Sequence, residues 1–300
     1  MSLVVRPARA EDLKRTDSLV VDSINELTER HGFGRMASPS PPYFQSFCLE
    51  ADPDGLWVAE DGDQILGFAW SWVCGDFWFL AQLFVAPGQQ GRGIGQDLLK
   101  RTLEHARKAG ARRKALITFT FNPVSQGLYI RHGLFPRFPI YFFSASRDDL
   151  VARLETRPLN CVPLTDAEPH LHHLASIDAL ASGVSRIKHH RLLINDANTR
   201  GALLCEGDDA VGYVYVSRSG HVGPLAVARP EMLESAFRTA LSTAVENGAA
   251  KISAFLPGTA ETALRTAVES GMRITFPLVL MSNYAAAAWT QYLPRNPGFM

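Results

Sequence analysis

The sequence predicts two α/β domains in tandem, each a mixed, mostly antiparallel sheet flanked by helices. Two observations carry this. Apolar runs of strand length alternate with segments of helical spacing along the chain. The order of those segments then repeats at an offset of about 140 residues, so that Gly67 is matched by Gly212, Val85 by Val227 and Gly133 by Gly271. A third observation concerns one loop. "PGQQGRGIGQDLL" (87–99) sets Gly91, Gly93 and Gly95 on alternate positions between an apolar run and a helix start.

In order, "LVVRPA" (3–8) reads as a strand. Residues 10–32 read as a helix, with Leu13, Leu19, Val20, Ile24 and Leu27 on one stripe and Gly32 at its end. The proline- and glycine-rich stretch 32–44 reads as a loop. "GLWVAEDGDQILGFAWSWV" (55–73) is a hairpin turning at "EDGDQ", and "DFWFLAQLFV" (76–85) is an apolar strand after a "GD" turn. The glycine loop leads into a helix (96–110), then a buried strand (113–121), a short helix ending at Gly133 and a last strand (139–145). The second copy echoes these: "LNCVPLT", "GALLCEGDDAVGYVYVS", "HVGPLAVARP", a helix and strand over 233–258, and "ALRTAVESGMRITFP". The division is therefore 1–150 and 157–300, joined through the polar segment 147–157, with "AAAAWTQYLPRNPGFM" outside the repeat.

Lys plus Arg and Asp plus Glu number 30 each, so no basic excess exists to hold a phosphate backbone, and a nucleic-acid partner is not expected. Cys48, Cys74, Cys161 and Cys205 are scattered and form no C-x-x-C, which fits a reducing compartment. The chain opens with charge instead of an apolar signal core, and no apolar run reaches bilayer length. A cytoplasmic protein with no membrane partner is the expectation.

A strand, a glycine-rich turn and a helix start make an anion site, with backbone N–H groups and the helix dipole facing the ligand. The dinucleotide fingerprint fails because Gln96 and Asp97 stand where its last glycine belongs, and no G-K-[ST] completes a Walker loop. Gln90-x-x-Gly93-x-Gly95 instead resembles the pyrophosphate loop of the GNAT acetyltransferases. Downstream, "FNPVSQGLYIRHGLF" places Asn122, Ser125, Leu128, Tyr129, Gly133 and Leu134 where that family has Asn and an L-Y-x-x-x-G-F helix, with Leu134 for the usual Phe. The whole chain resembles tandem GNAT proteins with an active first copy and a decayed second one.

The resemblance implies acetyl-CoA as co-substrate and no metal. It implies that the backbone of Leu83, Phe84 and Val85 receives the pantetheine arm as an added strand. The backbone of Gln90, Gly91, Arg92, Gly93, Ile94, Gly95 and Gln96 would hold the pyrophosphate, Asn122 and Ser125 would touch the cofactor, and Tyr129 would be the general acid. Plainer readings stand beside these: Arg92 as a solvated loop residue, Asn122 before Pro123 as an N-cap, Tyr129 as core beside Leu128. A phenol (pKa ≈ 10) protonates a thiolate (≈ 8.5) uphill by ~2 kcal/mol, so Tyr129 fits better as a hydrogen-bond donor to developing charge. The strand glutamate that histone-type relatives use as base falls here on Phe79, and Trp78, Leu80 and Ala81 cannot replace it. Asp76 sits in a turn, where aspartate is structural. A water relay touching Gln82 is the first expectation for the base, and the carboxylate ending "YLPRNPGFM" the second.

His170, His172, His173, His189 and His190 are dense but lack zinc spacing, and read as a solvated or domain-facing helix. Trp57, Trp70, Trp72 and Trp78 read as core or as wall of the acceptor pocket. In the second copy no glycine lies between Gly223 and Gly248, and Ala267 takes the place of Tyr129. One acetyl-CoA per chain, between residues 80 and 130, follows. The expected function is N-acetyl transfer from acetyl-CoA to a small-molecule or peptide amine by a direct ternary mechanism, since no cysteine lies in an activating motif. The alternative is a non-catalytic acyl-CoA sensor or interaction module.

Overall fold

Helix ends and strand registers in the first copy decide where its open surfaces lie. The computed structural model describes residues 3–154, 158–285 and 287–300. Residues 155–157 of the expected joining segment lie outside the described residues. By their contacts the residues form two units, Met1–Phe135 with Met281–Tyr284, and Pro136–Leu280 with Ala285–Met300.

The first unit runs β1 (Val4–Pro7), α1 (Leu13–Arg30), α2 (Tyr43–Ala51), β2 (Leu56–Asp61), β3 (Gln64–Cys74), β4 (Phe77–Val85), α3 (Ile94–Lys108), β5 (Arg113–Phe119) and α4 (Pro123–Arg131). Its sheet order is β1-β2-β3-β4-β5. Neighbours are antiparallel except β4 and β5, which are parallel. Ala59, Leu66, Ala69, Ile94 and Leu98 form one core cluster between sheet and α3. On α1, Leu13, Leu19, Val20 and Leu27 are buried, as their spacing predicts. That helix stops on Gly32 (φ +80°), where Phe33 N–H donates to Thr28 O at 2.9 Å and Gly32 N–H to Glu29 O at 3.0 Å. This pair of bonds satisfies the last carbonyls and fixes where Phe33 goes. Helix α2 was not expected from the sequence: it is a single short element behind a proline-rich loop, too brief for a periodic signal.

The second unit runs β6 (Phe135–Ser146), α5 (Arg147–Val151), β7 (Asn160–Pro163), α6 (Glu168–Ala181), α7 (Ile187–Ile194), β8 (Thr199–Glu206), β9 (Asp209–Ser217), β10 (His221–Val227), α8 (Leu233–Glu246), β11 (Lys251–Pro257), α9 (Glu261–Glu269), β12 (Arg273–Ser282) and β13 (Tyr292–Leu293). Phe135 at the start of β6 and the last residues of β12 count with the first unit. The sheet order is β12-β6-β11-β10-β9-β8-β7, with β13 on β10. β6, read from sequence as the first copy's last strand, pairs antiparallel with β11 from Ile140↔Pro257 to Ser146↔Lys251. The core centres on Val214, Val216, Leu225, Phe237, Leu241, Ile252 and Leu256, all at most 1% exposed.

Each unit thus repeats a hairpin, a third strand, a helix and a parallel strand. This is the mixed α/β, tandem architecture that the sequence predicts.

Candidate active site

Register along β4 creates the opening. On the β3 side, β4 is paired along its whole length, from Cys74↔Phe77 to Gly67↔Val85. Trp70 faces Gln82 and Ser71 faces Leu80, so Ala81 is an extra residue in a bulge. On the β5 side, pairing runs only from Phe77↔Arg113 to Leu80↔Leu116. Beyond the bulge the two parallel strands part. A bulge bends its strand and ends pairing, so Ala81 accounts for the splay. Leu83, Phe84 and Val85 lie on the parted stretch and are half-buried.

The glycine loop closes the wide end of this notch. Gly91 (φ +80°) and Gly93 (φ +84°) take the left-handed conformation, and a Cβ on either would meet nothing within 4 Å. Gly93 is the N-cap of α3 and supplies no side chain to its first N–H groups. Those donors therefore face open space at the positive end of a 15-residue helix. An anion fits there on two grounds, the uncapped donors and the bare cradle. Gln90, Gly91, Arg92, Gly93 and Gln96 are exposed, Gly95 is half-buried, and Ile94 (1% exposed) anchors the turn in the core. Arg92 reaches Gln89 Oε1 within the loop. The Cβ position of Gly95 lies 3.5 Å from Val85 Cγ2 and 3.8 Å from Leu128 Cδ2, so the loop, the end of β4 and α4 meet here.

Asn122 caps α4, its Oδ1 accepting from Ser125 N–H at 3.2 Å, with Pro123 in the first turn. The capping reading of Asn122 is therefore realised. Ser125 Oγ donates to Asn122 O at 3.1 Å and lies 3.2 Å from Thr118 Oγ1 of β5. Seven residues on from Asn122, Tyr129 is 5% exposed, and its hydroxyl makes no hydrogen bond among the described residues. Burial pushes its pKa well up, so the phenol stays protonated at neutral pH. Gly133 (φ +77°) ends α4 with Leu134 N–H donating to Tyr129 O at 3.1 Å. The glycine four residues after Tyr129 thus ties off the helix turn that carries it.

Phe79, at the position expected for a base, is fully buried and stacks on Trp72 at 5.1 Å. Asp76 accepts from Arg113 Nε at 2.9 Å and Nη2 at 2.5 Å; the Arg113 bonds hold its pKa down, as befits a structural turn aspartate. Gln82 Oε1 accepts from Gln45 Nε2 of α2 at 3.3 Å, which puts Gln82 on the α1/α2 face of the sheet. Trp72 and Trp78 are fully buried, Trp70 is 2% exposed, and the Nε1 of Trp70 and of Trp78 have no hydrogen-bond partner among the described residues. The sequence reading missed Gln45 and the ring cluster of His31, Phe33, Phe119 and Phe121. Gly32 directly before Phe33 was the available signal.

In the second unit the equivalent notch is filled. β10 pairs with β11 only at His221↔Ser253 and Val222↔Ala254. Beyond that point β13 lies against β10, with Leu225↔Leu293 and Ala226↔Tyr292. Gly223 permits this approach: a Cβ there would stand 2.7 Å from Pro294 O. The terminal segment, one of two sources proposed for a base, is packed within this unit, with Met300 2% exposed and Phe299 packed at a tilt against His189 at 4.4 Å. Tyr292 also joins a buried polar network. Asp178 accepts from Arg186 Nη2 at 2.5 Å, Tyr213 Oη at 2.6 Å and His190 Nε2 at 3.1 Å, and Arg186 reaches the Tyr292 hydroxyl. Burial pushes the Asp178 carboxyl up, but Arg186 and His190 outweigh it and hold the group ionised. His189 and His190 are therefore core residues, while His172 and His173 are exposed and His170 Nδ1 accepts from Thr165 N–H at 3.0 Å. No group of residues with metal-binding arrangement occurs among the described residues.

Comparison with known proteins bears on the family and the fold. The acetyltransferase (GNAT) family pattern matches residues 21–134. An uncharacterised N-acetyltransferase of Archaeoglobus fulgidus is 31% identical over 112 residues, 34% of this chain and 72% of that protein. The L-2,4-diaminobutyric acid acetyltransferase of Shouchella clausii is 31% identical over 90 residues, 29% of this chain; the match spans only 46% of that relative. Among solved structures, a candidate acetyltransferase from Pyrococcus horikoshii superposes with a TM-score of 0.79 at 19% identity, covering 99% of this chain and 96% of that one. A tandem GNAT protein from the clavulanic acid biosynthesis pathway gives 0.61 at 15% identity, covering 94% and 98%. These two likenesses speak for the fold. The chain belongs to the GNAT acetyltransferase family. No helix among the described residues is long and apolar enough to cross a membrane.

Proposed function

We propose that this chain transfers an acetyl group from acetyl-CoA to an amine, and that the first unit alone carries the site. The observation that supports it most is the conjunction at one notch of three things: the unpaired stretch of β4 after Ala81, the uncapped glycine start of α3, and the unpartnered Tyr129 hydroxyl. Acetyl-CoA supplies the activated acetyl thioester. The backbone of Leu83 to Val85 offers an edge for the pantetheine amides, and the N–H groups from Gln90 to Gln96 neutralise the pyrophosphate. Asn122 and Ser125 line the β5 side. Tyr129, kept protonated by burial, donates to the charge that forms on sulfur. The amine attacks directly, without an acyl-enzyme.

The second unit serves as scaffold on this proposal, because its own tail strand lies in its notch and Glu231 stands where a pyrophosphate would. The test is thiol release from acetyl-CoA against a panel of amines, with calorimetry of acetyl-CoA binding alongside. Binding with amine-dependent thiol release is expected. Binding without transfer to any amine would favour the acyl-CoA sensor, and absence of binding would remove the proposal.

A further inference from the structure

Among the described residues of β4, β5 and α4, no side chain takes a proton from an ammonium. From Phe77 to Val85 β4 has no ionisable residue. β5 beyond Lys114 and the chain on to Ile130 have only Tyr129, which burial keeps neutral. The α1/α2 face beside the notch carries rings and amides. Thr118 points to α4 through Ser125, so Phe119 next to it points the other way. There Phe121 stacks on Phe33 at 4.7 Å and packs at a tilt against Phe119 and His31, each at 5.0 Å. Phe33 is 38% and Tyr43 42% exposed. The Gln45–Gln82 pair lies on the same face.

On α1 and its loop Glu26 pairs with Arg30 at 3.6 Å and Glu29 with Arg35 at 3.8 Å, while the exposed Asp22 lines a separate pocket with the Asp61–Ile65 turn, Ala86 and Pro87. Of the ionisable residues of α2, Glu50 is exposed near its far end, Cys48 is buried and Tyr43 is one of the exposed rings. The one imidazole, His31, has Nδ1 2.9 Å from Leu27 O and its ring against Phe121.

We infer that the acceptor is a weakly basic primary amine of the α-amino type on an aromatic body, and that it enters as the free base. This rests on the acetyl-transfer proposal above. The nitrogen lone pair forms the C–N bond as C–S breaks and its electron pair leaves with sulfur. The nitrogen sheds one proton and the thiolate takes up one, so free amine and thioester give amide and thiol with no net proton. An ammonium must first lose a further proton, and no side chain of the notch accepts it. At pH 7 an α-amino group (pKa ≈ 7.7–8.0) is neutral in about one molecule in six to eleven, against about one in 2,500 for a lysine-type amine (≈ 10.4), a ratio of about 200- to 400-fold. Greater nucleophilicity of the stronger base offsets part of that ratio.

The test uses two dipeptide amides, phenylalanyl-lysinamide and lysyl-phenylalaninamide, each with both amine types, and mass spectrometry to locate the acetyl group. We expect acetylation of the α-amino group over the ε-amine by at least about tenfold at pH 7, narrowing as pH rises towards 10. Phe33→Ala should raise KM severalfold for these substrates and leave it unchanged for glycinamide. Equal or faster acetylation of the ε-amine at pH 7 would overturn the inference, as would ε-transfer that is lost in His31→Gln, which would make His31 a base. Transfer to neither peptide by protein that acetylates other amines overturns the acceptor class alone. Failure to bind acetyl-CoA overturns the parent proposal with it.

Discussion

Replacing Tyr129 by phenylalanine separates a catalytic hydroxyl from a packing ring. The ring is 95% buried, so Phe keeps every apolar contact. The hydroxyl has no protein partner among the described residues, so its removal leaves no donor or acceptor there unsatisfied. Folding stability should change by less than about 1 kcal/mol. Burial raises the phenol's pKa further above that of a thiol, so complete proton transfer to sulfur is uphill by more than the ~2 kcal/mol of unperturbed groups. On the proposed mechanism its role is then a hydrogen bond to developing negative charge. Such bonds are worth roughly 1.5–3 kcal/mol, or about 10- to 150-fold in rate. We expect kcat to fall by that factor with KM for acetyl-CoA within about threefold, since the interaction belongs to the transition state. Steady-state thiol release with a good acceptor, beside a thermal melt, measures both. A kcat loss below about threefold in a variant that melts like the parent would show that Tyr129 only packs.

Three further outcomes are expected. Gly93→Val and Gly95→Val should each weaken acetyl-CoA binding at least about tenfold by calorimetry. Gly93→Val should also lose about 1–2 kcal/mol of stability to its left-handed backbone, whereas Gly95 has helical φ; unchanged affinity would remove the loop from the cofactor site. Full-length protein should bind one acetyl-CoA per chain in a titration, and a stoichiometry near two would contradict the scaffold role of the second unit. His221, held by Ser253 Oγ at 3.0 Å and the Arg295 carbonyl, has its pKa pushed down to about 4 by burial. The unfolded chain takes up this proton near pH 6.5 and the folded one only near pH 4, so its contribution is full above pH 6.5 and is lost by about 3 kcal/mol as pH falls to 4. His221→Gln should flatten that part of the stability–pH curve, and an unaltered curve would refute the assignment.

What the sequence revealed depended on how local each signal was. The glycine loop, the capped α4 and Gly133 are written in consecutive residues, and the structure shows the turn, the cap and the helix stop at those positions. Phe79 in place of a base was legible because a strand fixes side-chain direction every second residue. The bulge at Ala81 was not, because it is a property of the pairing and not of the residue. Nor was α2 legible, nor the meeting of Gln45 with Gln82, 37 positions apart. The fate of the chain's end was hidden for the same reason: Tyr292 finds Arg186 across 106 positions, and only the fold brings them together.

The strand that β13 adds to β10 is, in thermodynamic terms, a ligand that never dissociates into solution. A tethered partner acts at an effective concentration set by its linker, so that notch stays filled whatever the cell supplies. Among the described residues the notch beside β4 has no such tether, and a bound ligand would stabilise it by RT ln(1 + [L]/Kd), ~2.7 kcal/mol at a hundredfold excess over Kd. On the proposed function, stability of the first unit therefore tracks acyl-CoA supply while that of the second does not. The same difference accounts for the loops. A glycine costs about 0.5–1 kcal/mol of backbone order, a cost worth keeping only where an anion needs bare N–H groups. Where the chain furnishes its own strand, Arg229, Pro230 and Glu231 turn into the next helix with a stiffer backbone and no glycine.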